Sequence, residues 1–184
     1  MEKDTYRVKT HILEHIDFHD CVAEQPEWDN DSLFLHFGHI NVLETHPEND
    51  TGKDKATDNA LVCFENVKVI KSQWHDDKKA VANAFEKRKI TGDTSVVLDI
   101  DVNEIEIKDI DFPDALNNID IVSLDIEANG ETYICKIAGT STDYRQRRII
   151  EFEYSGVYVC FNEFTRNTWF DDEFVWNGSK WVKE

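Results

Sequence analysis

His11, His15 and His19 recur at four-residue spacing in the run His-Ile-Leu-Glu-His-Ile-Asp-Phe-His-Asp. On a helix that spacing puts three imidazoles on one face with Asp20 beside them, a donor set for zinc or another divalent metal in a metal-dependent enzyme. The surrounding residues argue for something plainer. The segment lacks a good cap, Ile12, Ile16 and Phe18 form no single stripe, and the HExxH pattern is missing. The preferred reading is a solvated edge with one or two hydrogen-bonded histidines, and His11, His15 and His19 stand as the candidate metal set. His36 and His39 fall on opposite faces of a regular strand and could share a ligand only across a bulge at Gly38.

Carboxylates are the second source of chemistry, and they are too numerous for any pair to stand out. There are 38 Asp and Glu against 20 Lys and Arg, a formal net charge of -18 in 184 residues. Glycoside hydrolysis needs two carboxylates at a set separation across a cleft, which spacing along the chain does not reveal. The chain has no GxSxG, no phosphate-binding P-loop and no GxGxxG. The cysteines Cys21, Cys63, Cys135 and Cys160 lack the electropositive neighbours that activate a thiol. No catalytic residue is therefore assigned and no cofactor is expected. The charge itself is the informative feature. It repels nucleic acid and anionic lipid and attracts basic proteins. The densest run, Asp99, Asp101, Glu104, Glu106, Asp109 and Asp111, is the expected contact surface for a basic protein partner, joined by the polar loop at 45–60. The basic run Tyr144-Arg145-Gln146-Arg147-Arg148 is expected to pair internally with the acidic faces.

These residues need a scaffold, and the pattern supplies one that is mainly antiparallel β, a sandwich or partly open barrel. Three of the cysteines lie in apolar strand-like runs, which predicts reduced, buried thiols and a cytoplasmic location. The first residues form no signal-peptide core, and no stretch of about 18 apolar residues could cross a membrane as a helix. Residues 21–28 and 32–43 form a hairpin around Asp29-Asn30-Asp31, with Pro26 marking an edge or a bulge. Two short strands, or one bulged strand, follow at 60–64 and 67–70. The single helix is expected near 77–91: Ala80, Val81, Ala84 and Phe85 give the apolar stripe, Lys87 to Lys89 oppose the dipole and Gly92 stops it. Val96 to Val102 alternates as a strand that places Asp99 and Asp101 on one face. Asn129-Gly130, Ser155-Gly156 and Asn177-Gly178 mark three further hairpins. Aromatic residues from Phe161 to Trp181 are denser than a core requires, so one or two could anchor a partner. The chain reads as one domain, 1–184, with two similar β halves, about 1–75 and 94–184, joined by the helix. Phe64-Glu65 and Phe152-Glu153 occupy parallel places in those halves, which leaves an internal duplication open.

The segment Phe18-His19-Asp20-Cys21-Val22, followed by an acidic turn and Leu33-Phe34-Leu35-His36-Phe37, resembles the opening of several groups of small uncharacterised bacterial proteins. Some of these are encoded beside toxins and are read as immunity proteins. The resemblance covers the first third of the chain and carries no catalytic residue. It implies a cytosolic bacterial protein without enzymatic activity, an acidic neutraliser of a basic toxin. A small-ligand carrier of the β-barrel type, a metal-dependent enzyme and a structural accessory protein are the alternatives.

Overall fold

A computed structural model of the protein describes residues 6–92, 100–141, 146–168, 174–176 and 181–183. The chain opens with β1 (Val8–Thr10), a turn through the histidine segment, and β2 (Ile16–Asp17). β3 (Cys21–Asp29) and β4 (Ser32–Phe37) form the first hairpin, whose turn residues Asn30 and Asp31 take φ of 47° and 61°. Short polar side chains tolerate that left-handed backbone, so the acidic turn is where the pattern places it. The β3–β4 register slips between Ala23 and Pro26, making the proline a bulge residue. β5 (Asn41–Val42) precedes the polar run at 45–60, whose end is not loop but strand, β6 (Lys55–Thr57), paired with β5, and β7 (Ala60–Glu65) and β8 (Lys68–Asp76) follow.

The helix α1 (Lys78–Thr91) ends at Gly92 with φ 68°, and Arg88 and Lys89 fill its last turn. Its burial is thinner than the stripe implies. Ala80 and Ala84 are buried, but Phe85 is exposed. The helix meets a short 3-10 turn at Val102–Glu104, where Asn83 Nδ2 donates to the Glu104 carboxylate at 2.9 and 3.0 Å. That turn corrects the strand expected over 96–102, of which residues 96–99 lie outside the described residues. Asp101 ends extended backbone and caps the turn, because its carboxylate competes for the Asn103 N–H that a ladder would use.

β9 (Glu106–Asp109) leads through a second 3-10 turn, Asp114–Leu116, to β10 (Ile119–Asn129) and β11 (Thr132–Ser141). Asn129 pairs with Thr132 across Gly130 at φ 66°, the tight hairpin that Asn-Gly predicts. β12 (Arg147–Tyr154), β13 (Gly156–Phe161), β14 (Phe164–Asn167), β15 (Phe174–Trp176) and β16 (Trp181–Lys183) complete the chain. Trp176 and Trp181 are opposed in the β15–β16 register, and the turn between them lies outside the described residues.

Ten strands make one antiparallel sheet, ordered β1-β13-β7-β4-β3-β10-β11-β12-β8-β9, that does not close into a barrel. β14, β6, β5 and β2 form a small second sheet. The large sheet curls hard. β7 and β12 stand five places apart, about 24 Å in a flat sheet, yet the rings of Phe64 and Phe152 meet at 5.0 Å. The curl turns on one bent ribbon. β7 and β8, separated by Asn66-Val67, pair with β13 and β12 from Ala60↔Phe161 to His75↔Arg147. Ser155 N donates to Glu65 O at 3.0 Å and Asn66 Nδ2 to Ser155 Oγ at 2.8 Å, pinning the bend. Ser155-Gly156 is therefore not the hairpin expected of it. β12 and β13 run on through it and enter opposite ends of the sheet, since each already has its partner in the ribbon. From β13 to β8 the strand order maps onto its own reverse when β3, β4, β7 and β8 exchange with β10, β11, β12 and β13.

The concave face holds the core. Leu33, Leu35, Val62 and Phe64 from one half meet Cys135, Ile137, Ile150 and Phe152 from the other, all buried. At the ~25 cal/mol per Å² of apolar burial, side chains of this size contribute about 1.5–3 kcal/mol each.

Candidate binding cleft

The site begins where β3 and β10 part. Their pairing runs only from Ile119↔Ala23 to Ile121↔Cys21, and Asp20 N closes the seam on Ile121 O at 2.9 Å. A register shift between Ile121 and Ser123 then swings β10 outward. From there to Asn129 it is paired with β11 on one side, and among the described residues no strand pairs with its other edge.

Alternation along this free segment sorts its side chains. Leu124, Ile126 and Ala128 share the concave side with their partners Ile137, Cys135 and Tyr133, while Asp125 and Glu127 face outward. Ile126 and Tyr133 are 36% and 44% exposed at the rim of an otherwise closed core. Tyr133 stacks on buried Tyr154 at 5.5 Å and 27°, an arrangement that fixes the ring at little entropic cost. Opposite stands the wall His11-Ile12-Leu13-Glu14-His15 with Pro47, and Ser155 to Val157 closes one side. The cleft, open to solvent on one side, measures about 420 Å³.

The wall is held by specific bonds. His11 Nδ1 donates to Val157 O at 2.8 Å, and His15 Nδ1 shares a hydrogen bond with Thr45 Oγ1 at 3.0 Å. Behind them His46 is 1% exposed. Its Nε2 donates to Ile12 O at 3.3 Å and its Nδ1 accepts from Glu48 N at 3.1 Å, a pattern only the neutral imidazole can make. Burial lowers the pKa of His46 from the ordinary histidine value. Its folded pKa lies below the unfolded one, so the stability it confers is complete above about pH 6.5 and is lost as the pH falls from there through the folded value. In a His46→Gln variant, the slope of melting temperature against pH in that window should flatten relative to wild type, and an imidazole NMR titration should give His46 a midpoint below 6.5.

The structure divides the predicted metal set. His11 and His15 line the cleft, but His19 lies outside it, paired with Asp20 at 3.2 Å. The segment is strand, turn and strand, not helix, so four-residue spacing does not create a shared face. Among the described residues no group of three or more His, Cys, Asp or Glu stands where it could hold a metal ion. The cysteines are free and buried, and burial pushes every thiol up, that of Cys21 to about 12. They are protonated at neutral pH and so poor nucleophiles.

The acidic run is divided among local tasks. Asp99 lies outside the described residues. Asp101 accepts from Asn103 N and Nδ2, both at 2.9 Å, and these bonds hold its carboxyl below the usual range. Glu104 takes the helix through Asn83, Glu106 pairs with Lys108 at 2.6 Å, and Asp109 accepts from Gln73 Nε2 at 3.0 Å. Asp111 opens the second 3-10 turn through its carbonyl. Arg148 serves that turn too, donating from Nη1 to Ala115 O and Asn117 O at 3.0 and 2.7 Å, so part of the basic run is spent on backbone carbonyls.

A longer pattern joins the acidic run to the cleft. Between Lys108 and Lys136 the chain carries seven carboxylates and no Lys or Arg: Asp109, Asp111, Asp114, Asp120, Asp125, Glu127 and Glu131. Its second half contains the free segment of β10 and the hairpin turn, and among the described residues the cleft is lined by one carboxylate side chain, Glu14, and by no Lys or Arg. Such a cation-free stretch is visible in the sequence, but exposed Ile126 and Tyr133 within it are not, because their alternation matches that of core residues. No family model matches the chain, and no curated protein or solved structure matches it.

Proposed function

We propose that this protein is a non-enzymatic binding protein whose anionic surface holds a cationic protein partner at the cleft beside β10. The observation that carries the reading is the coincidence of exposed Ile126 and Tyr133 with a stretch of chain that contains carboxylates and no Lys or Arg. Apolar and aromatic contacts at the centre of an interface supply affinity, and charge around them supplies steering and choice of partner. The narrower form of the proposal, an immunity-type inhibitor that covers a basic toxin, uses the same surface.

The test is capture from cells that express the protein, at low ionic strength, followed by titration with the purified partner. The expected partner is a basic protein that binds at fixed stoichiometry. Reversing Asp125 and Glu127 to lysine should slow association about tenfold and change dissociation much less. An acidic partner, or association indifferent to that reversal, would refute the proposal.

A further inference from the structure

The free edge of β10 specifies how such a partner would be held, an inference that rests on the cationic-partner reading. Ser123 to Asn129 present about 20 Å of strand edge with no pairing on the outer side among the described residues. Exposed edges are templates for another strand, and native sheets cover them, shorten them or charge them. This one lies beside the cleft, with the wall His11 to His15 standing across from it. A second copy is a poor occupant, because edge-to-edge pairing would bring Asp125 and Glu127 of each chain together.

We propose that this edge takes an extended segment of the partner by strand addition, and that the segment alternates apolar with Lys or Arg residues. Main-chain hydrogen bonds to the β10 edge supply affinity, and alternate side chains supply specificity. Side chains on the concave side of the added strand enter the cleft beside Ile126 and Tyr133, where apolar groups fit. Those on the other side lie beside Asp125 and Glu127, where cations fit. Glu127 holds Lys136 at 2.7 Å diagonally across the hairpin, where the direct partner of Lys136 is Asp125, so the outer face of β10 accepts an ammonium group from a neighbouring strand.

The probe is a capped heptapeptide alternating lysine and valine, titrated into the full chain with amide NMR detection. Two control peptides accompany it, one with glutamate for lysine and one with alternate backbone nitrogens methylated on the pairing edge. The expected result is shifts confined to residues 122–129 and the cleft wall, slowed amide exchange over Ser123 to Asn129, and binding weakened about tenfold or more by methylation. Ile126→Arg should weaken the unmethylated peptide similarly. Equal binding of the methylated peptide would overturn strand addition while leaving a purely electrostatic cationic contact. No binding of the lysine peptide, with a basic protein partner still bound, would place the contact elsewhere and also overturn it. Failure of both peptide and protein to bind at low salt would refute the cationic-partner reading itself. The methylation arm alters only the probe, so it decides the matter even where a variant folds poorly.

Discussion

Replacing Gly139 with alanine should cost about 3 kcal/mol or more of folding stability. Gly139 sits on the buried side of β11, opposite Ile121 of β10 and Arg148 of β12. A Cβ there would lie 2.5 Å from Asp120 O and 2.6 Å from Ile119 Cγ1. The first neighbour is backbone and the second is fully buried, so neither can move aside without opening the β3–β10 seam. In a chain of 184 residues the loss should appear as a melting temperature lower by about 6–12 °C. Gly156→Ala is the control. A Cβ at that position meets the Glu65 carboxylate, the far end of an exposed, flexible side chain that can rotate away. That variant should change stability by less than about 1 kcal/mol. Equal melting temperatures for wild type and Gly139→Ala would mean that β10 and β11 do not approach as closely as described. The close approach matters for the site as well, because the bulge between Ile121 and Ser123 begins beside it and carries the free edge out into solvent.

What the sequence makes legible here is local. Asn30-Asp31, Asn129-Gly130 and Gly92 act through their own backbone conformations, so their turns and stop are readable residue by residue. Ser155-Gly156 carries a similar local signal and means something else, because β12 and β13 pair with β8 and β7, roughly seventy to a hundred residues away along the chain, and not with each other. The bent ribbon is a tertiary fact with no local signature. The same holds for the site. His11 and His15 stand out by type and do line the cleft, whereas the edge of β10 depends on where β3 leaves it, which no pattern within β10 encodes. The polar run at 45–60 reads as a loop because its residues are those that water usually solvates. Two of its buried members, His46 and Asn49, are of the same types, and only the surrounding hydrogen-bond partners distinguish them.

Asn49→Asp should be as damaging as the glycine change, through chemistry rather than volume. Asn49 is 5% exposed, and its Nδ2 donates to Val42 O at 2.9 Å, Leu43 O at 3.1 Å and Lys53 O at 2.9 Å. Its Oδ1 accepts from Thr51 N at 3.2 Å and Thr51 Oγ1 at 2.7 Å. Aspartate has nearly the same shape and keeps the accepting half, so the substitution isolates the donating half. Ionised, it turns a donor to three carbonyls into a charge facing them, with Asp54 on the same loop already accepting from Glu44 N at 2.6 Å. The expected cost at neutral pH is about 3–5 kcal/mol. Protonation restores one donor and removes the charge, so the new carboxyl titrates higher in the folded than in the unfolded chain, where it ionises near 3.9. The deficit relative to wild type is then smallest below about pH 4, grows as the pH rises and is complete above the raised folded value. Denaturant titrations of both proteins at several pH values measure that gap. A deficit under about 1 kcal/mol that does not change with pH would show that the loop is not built on this amide. The result reaches the cleft directly, because the turn Asn49 secures begins at Leu43 and includes Pro47 of the cleft wall and His46, which braces Ile12 from behind.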